Sequence, residues 1–403
     1  RDVAGIVKEY YETLTYTHRV EHFAQISGYV PKSKVENVKS SILKACNGSA
    51  VIIEEEVEHA PTYIEYPKML EPIVEVLKMY GLPEYREISP VLIMAITFPL
   101  IYGLMYADLG HGLTLLIFGL IAYRIFASPS FKTLGLLGVY FGIASTIAGF
   151  FSGEFFGPAT PVTPMLKHFV SEILGLPHPP LGIEFEGAEA GTMVTQLLLF
   201  SIKIGIIHMT IGFILGIINA INKGEKVEAF TVRLPQTLIF IIGTAPFLLA
   251  YSEAGRTVLP FFFEPTWTYT LIALLLFLAI GKPIADRVIG SHEPMGFGTA
   301  FFETFDYILR IVSNTASYMR IAALLVAHAG LVYAFYKLGE LTAPPGPLGS
   351  VMFWAIYIMG NIVTIALEAI IVFVQTARLP VSYTHLRAHE TSLHLVCRLL
   401  LEK

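Results

Sequence analysis

Two textures follow one another along the chain. Up to about residue 66, apolar and polar positions interleave at helical and strand-like spacings. The stretch DVAGIVKEYYETLTYTHRVEHFA predicts a helix, FAQISGYVP a strand ending at Pro31, SKVENVKSSILKAC a second helix and SAVIIEEEVE a second strand. Ser33, with Glu36 three residues on, is placed to cap the second helix. Helix, strand, helix, strand in so short a piece predicts one small α/β lobe over residues 1–66, with a linker over 67–88.

From residue 89 the apolar runs lengthen until each suits a membrane crossing, which needs about 20 residues. Eight are predicted, near 89–107, 111–127, 133–152, 194–222, 235–251, 267–285, 300–338 and 349–379. The fold class expected is therefore mainly α: a polytopic membrane helical bundle carrying a small cytoplasmic α/β lobe. Loop charges set the orientation. With the lobe inside, the inner loops hold Arg124, Lys132, Lys223, Lys226, Arg233, Lys282 and Arg287, against Lys167, Arg256 and Lys337 outside. The large outer loop 153–193 is acidic and rich in Pro and Gly. The last two runs are too long for upright crossings, since 39 residues of helix would measure about 58 Å against a core of about 30 Å. Strong tilt is the expected remedy, beyond the ordinary average of about 20°.

Composition agrees with the pattern. Charged residues make up 15% of the chain, where a soluble domain carries about 25%. A formal charge of −5 without a basic stripe gives no reason to expect nucleic acid. Cys46 and Cys397 lie far apart, and no CxxC or HExxH occurs, so sequence suggests neither a disulfide framework nor a metal site. Nothing resembles a phosphate-binding loop, and no cofactor is expected.

The chemistry lies in the last two spans. The seventh contains Glu303, Asp306, Arg310, Ser313, Asn314, Ser317, Arg320 and His328. At about 100° per residue, most of these fall in one stripe about 100° wide around Arg320. The eighth repeats the device with Tyr357, Asn361, Thr364, Glu368, Gln375 and Arg378. Charges inside a bilayer persist by facing protein or a water-filled cavity. One reading is a buried structural salt-bridge network. The other is an ion path, in which a fixed Arg drives the proton from a carboxylate that moves past it. Because Arg keeps its own proton, it also blocks a through-going proton wire. This chain offers no mobile carboxylate, so that group belongs to a partner.

The segment FDYILRIVSNTASYMRIAALLVAHAGL resembles the signature helix of the V-type ATPase subunit a and A-type subunit I family. LEAIIVFVQTAR resembles that family's last helix and FPLIYGLMYADLGHGL its first membrane turn. IKIGIIHMTIGFILGIINAINKGE, YPKMLEPIVEVLKMYGLPEY and ISGYVPKSKVENVKSSILKA are also similar to family segments, so the resemblance covers residues 1–379. It implies that Arg320 faces a rotor-ring carboxylate and that Arg378 supports it. It implies that Glu368 and His328 lie near the non-cytoplasmic half-channel, with Asp108 at the outer turn; Ser317, from the polar stripe, and Gln375, as a hydrogen-bond partner near Arg378, are placed on the ion path beside them. Asp108 is equally readable as a helix cap, His328 as a core histidine, and His111 as part of the turn. Ala107 stands where the family often has Gly. Lys203 and His208 are left out of the site.

The implied function is a stator subunit that is not itself an enzyme. It would form two ion half-channels against a ring of proteolipid c (or K) subunits and couple proton or sodium flow to ATP turnover elsewhere. Implied partners are that ring, peripheral stalk subunits of the E/G or E/H type, a central stalk connector of the C/d type, and membrane lipid. The expected location is an archaeal or bacterial plasma membrane. Residues 1–66 then read as the remnant of a longer stalk-binding domain, because the chain opens on Arg1. After Pro380 the family pattern stops, and 380–403 reads as a non-native tail resembling an adapter-derived sequence. The rival class is a stand-alone secondary transporter or channel, which predicts internal repeats with matched broken helices; the sequence has no such repeat.

Overall fold

The structure, a computed structural model, describes residues 17–20, 23–26, 28–55, 66–81, 83, 87–176, 178–183, 190–249, 260, 264–289 and 296–384. The chain divides after Glu65 into two units.

In the first unit, β1 (Thr17–Val20) and β2 (Phe23–Ile26) form an antiparallel hairpin in which Thr17 faces Ile26 and Val20 faces Phe23. The helix expected to run from residue 2 to 24 is thus replaced by strand at its C-terminal end, where Thr17, Val20 and Phe23 suit a paired ribbon. Its residues 1–16 lie outside the described part. The expected strand up to Pro31 stops at Ile26. Helix α1 (Val35–Ala45) begins one residue later than expected: Lys34, not Ser33, holds the cap position, and Ser33 belongs to a preceding 3-10 turn. Residues 49–55 of the expected second strand have no regular structure, and its remainder lies outside the described residues. Lys39 pairs with Glu36 at 3.1 Å and with Glu54; the Glu54 carboxylate first, then Glu36, raises the lysine above its ordinary value.

The second unit is a helical bundle. Helix α2 (Glu71–Tyr80) occupies what reads as linker in the sequence. Its Ile73, Val74, Val76 and Leu77 are buried in the main apolar core, which explains why it is ordered: four large side chains leave water together. Tyr140 also donates its hydroxyl to the Met69 carbonyl at 2.5 Å. Helices α3 (Val91–Met105) and α4 (Leu109–Ile125) are apolar but only 15 and 17 residues long. Helix α5 (Pro129–Ser152) lies tightly along α4, where Gly112 lets the backbones meet; a Cβ there would sit 2.5 Å from the Thr146 nitrogen. Within the 153–193 loop, α6 (Val162–Leu174) is a further helix.

Helix α7 (Ala190–Asn222) has 33 residues, about 50 Å of helix. Helices α8 (Leu234–Leu249) and α9 (Pro265–Ile289) follow. The predicted seventh span is two helices, α10 (Phe297–Ser317) and α11 (Met319–Thr342), which meet at Tyr318. The last helix, α12 (Pro347–Thr384), runs through Pro380 to residue 384, past the predicted end at 379; residues 385–403 lie outside the described part. Among the described residues, six helical runs are long and apolar enough to cross a membrane: 129–152, 191–222, 226–248, 265–288, 297–342 and 347–378. Aromatic packing ties α3 to α5 and α12. Tyr102 stacks on Phe141 at 4.0 Å, and Phe98 meets Phe141 and Phe373 edge-on at 5.2 and 6.2 Å.

Candidate functional site

Arg320 is the second residue of α11, just past the joint with α10. At that joint the Tyr318 N–H donates to the Thr315 carbonyl at 3.2 Å and the Ile321 N–H to the Tyr318 carbonyl at 3.0 Å. These i→i+3 bonds tighten the helix locally. The Tyr318 side chain is fully buried against α7 and forms a 2.6 Å hydrogen bond with His208 Nδ1. Gly205 makes room for it, since a Cβ there would lie 2.4 Å from the tyrosine ring. The joint therefore has a fixed seat, and Arg320 leaves it in a fixed direction. The half-buried guanidinium donates to Ser317 Oγ at 3.0 Å and, across to α12, to the Gln375 carbonyl at 3.4 Å. Arg378, one turn beyond Gln375, is exposed.

His328 lies eight residues along α11 from Arg320, about 12 Å of helix. Around it is a buried polar cluster. Its Nδ1 bonds Glu368 of α12. Its ring meets that of His111 edge-on at 5.1 Å, and Tyr106 packs beside both, at 5.2 and 5.8 Å. His111 Nε2 lies 2.7 Å from Asn361 Oδ1, and Asn361 in turn donates to the Tyr357 carbonyl at 2.9 Å. Asp108 is the N-cap of α4: its Oδ1 accepts from the His111 N–H at 2.9 Å and the Phe156 N–H at 3.1 Å. Such a cap satisfies helix-end donors that have no intrahelical partner. Tyr357 donates its hydroxyl to the Phe156 carbonyl, closing the cluster against the 153–193 loop. In that loop, burial pushes the Glu154 carboxyl up to about 7.

The residues placed together on one polar stripe do not share one environment. Glu303, Asp306 and Ser313 are exposed, Arg310, Asn314, Ser317 and Arg320 half-buried, and His328 buried. Asp306 and Arg310 pair with each other one turn apart on α10. The physical reason is packing: α11 is packed against α3, α7 and α12, whereas α10 packs mainly against α9. On α12 the stripe is buried at Tyr357, Asn361, Thr364 and Glu368 and opens towards Gln375 and Arg378. Gln375 contributes its backbone carbonyl to Arg320.

Three groups escaped the sequence reading. His111, read as turn, is fully buried inside the cluster. His208, left aside, supports Tyr318 next to Arg320. Tyr318 itself carried no signal beyond lying beside Arg320. Only His111 had a local cue, since Asp followed three residues later by a residue whose N–H needs capping is a helix-start pattern.

Sequence comparisons add a family context. The sequence profile of the V-type ATPase 116 kDa subunit family matches residues 3–132. The A-type ATP synthase subunit I of Aeropyrum pernix is 28% identical over 384 residues, covering 88% of this chain and 54% of that protein. The subunit I of Saccharolobus solfataricus is 26% identical over 89% of this chain and 57% of its own length. That of Archaeoglobus fulgidus is 31% identical over 51% of this chain and 31% of its own length. The chain thus spans about half the length of the first two of these relatives.

Proposed function

The chain belongs to the V-type and A-type ATPase subunit a/I family, and from that premise we propose that it is the ion-conducting stator of a rotary ATPase. Its role is transport, with nucleotide chemistry on other subunits. Arg320 is the charge past which the carboxylates of a proteolipid c (or K) ring move, and Arg378 supports it from α12. The polar cluster of Asp108, His328 and Glu368 belongs to the half-channel on the outer side. The exposed ends, Glu303 to Ser313 on α10 and Gln375 to Arg378 on α12, belong to the inner one. Helices α3 and α4 complete eight crossings, with the lobe on the cytoplasmic face. The stalk subunits dock on parts of the protein beyond this bundle.

The observation that carries the reading is the setting of Arg320. The side chain is held by Ser317 and the Gln375 carbonyl, yet it remains half-exposed. Around it Ala316, Ala323, Ala327 and Ala334 form an exposed stripe of small residues, the surface on which another membrane helix approaches closely. A buried structural salt bridge would place a carboxylate of this chain on Arg320, and the partners described are a hydroxyl and a carbonyl.

The test is proximity. In assembled complexes from a cysteine-substituted subunit, Ala323→Cys should cross-link to a cysteine beside the ring carboxylate, and Phe118→Cys, exposed on α4, should not. A chain that purifies and transports ions alone, with no cross-link from Ala323→Cys, would instead support the stand-alone transporter.

A further inference from the structure

We infer that Asp108, His111 and His328 form a binding site for one divalent transition-metal ion of the Zn2+ class. The three residues come from the α3–α4 turn, the first turn of α4 and the middle of α11. Each offers a donor atom, and these atoms lie within 4.8 Å of one another. Their side chains are 0%, 0% and 1% exposed. A second observation is independent of that proximity. Asp108 Oδ2, His111 Nδ1 and His328 Nε2 are all buried without a hydrogen-bond partner. Unsatisfied buried polar atoms are rare, and three converging in one place call for a common partner. One cation satisfies all three together.

The surrounding bonds have the form that metal-binding histidines require. A ligating imidazole gives its other ring nitrogen to a carboxylate or carbonyl oxygen, which fixes the tautomer and aims the free nitrogen. His328 Nδ1 is held by Glu368 and His111 Nε2 by Asn361 Oδ1. Asp108 is oriented by the two amide N–H groups on its Oδ1, leaving Oδ2 as the ligand. Two imidazoles and a carboxylate favour Zn2+, Co2+ or Cu2+ over Na+, Mg2+ or Ca2+, which take oxygen. Ligands of a tetrahedral Zn2+ site lie about 3.4 Å apart, so the three residues draw together on binding. The ion would then tie α4 to α11. Binding does not depend on the function proposed above; only its consequence, a block of the outer half-channel, rests on that reading.

The full chain, purified in detergent and stripped with chelator, is titrated with Co2+ while its visible d–d bands are followed, and Zn2+ is then added as competitor. One ion per chain with four-coordinate bands is expected. The bands should vanish in His111→Gln and in His328→Gln and weaken about 10–100-fold in affinity in Glu368→Gln. They should persist in His168→Gln, an exposed α6 residue. X-ray absorption on the Zn2+-loaded wild type gives a readout that needs no variant: two imidazoles and an oxygen ligand are expected. Absence of binding by the folded wild type overturns the proposal. So do bands that survive both His111→Gln and His328→Gln, which would place the ion on surface or C-terminal histidines.

Discussion

At Asp108 one oxygen caps α4 through the His111 N–H and also accepts from the Phe156 N–H, and the other has no partner among the described residues. The cap alone has a measurable weight. Asp108→Ala should destabilise the chelator-treated protein by about 1–2 kcal/mol, and Asp108→Asn by less, because the amide oxygen still accepts. Thermal unfolding in detergent measures both; equal losses would mean that the charge, not the cap, matters. The sequence reading left cap and channel roles open for Asp108, and the structure shows the cap. It could not show the cluster, because His111 and His328 lie far apart in the chain and meet only when α4 packs near α11. Arg320 was legible for the opposite reason: a charge in the middle of an apolar run is conspicuous before any fold is known. Its hydroxyl and carbonyl partners were not.

Among the elements, the pair α10–α11 departs furthest from its sequence reading. Periodicity fits a single helix, since the angular drift caused by tightening at one residue is small. Tyr318 breaks it because α7 offers a seat there: Gly205 for space and His208 for a hydrogen bond. On α12 the buried part of the stripe faces α4 and the 153–193 loop through Asn361 and Tyr357. The exposed alanine stripe around Arg320 yields a prediction at this scale. Ala323→Trp should leave the fold of the isolated chain unchanged, since the position is exposed. It should lower ring association in the complex by about 5- to 150-fold, the effect of overpacking by about 1–3 kcal/mol. Co-purification of the proteolipid reads it, and unchanged association would remove this face from the contact.

For the molecule as a whole, hydropathy located the membrane part, because six runs long and apolar enough to cross a bilayer leave little else to build. It misread the small first unit, where a hairpin stands in place of a helix end, since residues 17–26 favour helix and strand almost equally and pairing decides. It also mistook α2 for a linker, because ten residues are too few for periodicity to stand out from a turn-rich neighbourhood. The central claim belongs to the assembled complex and rests on one side chain. The most direct measurement is ATP-driven ion uptake by reconstituted complexes containing this subunit, comparing Arg320 with Arg320→Gln. The account predicts that uptake falls to background while the complex still assembles with its ring. Uptake near the normal rate in the assembled Arg320→Gln complex would contradict it and return Arg320 to a structural role.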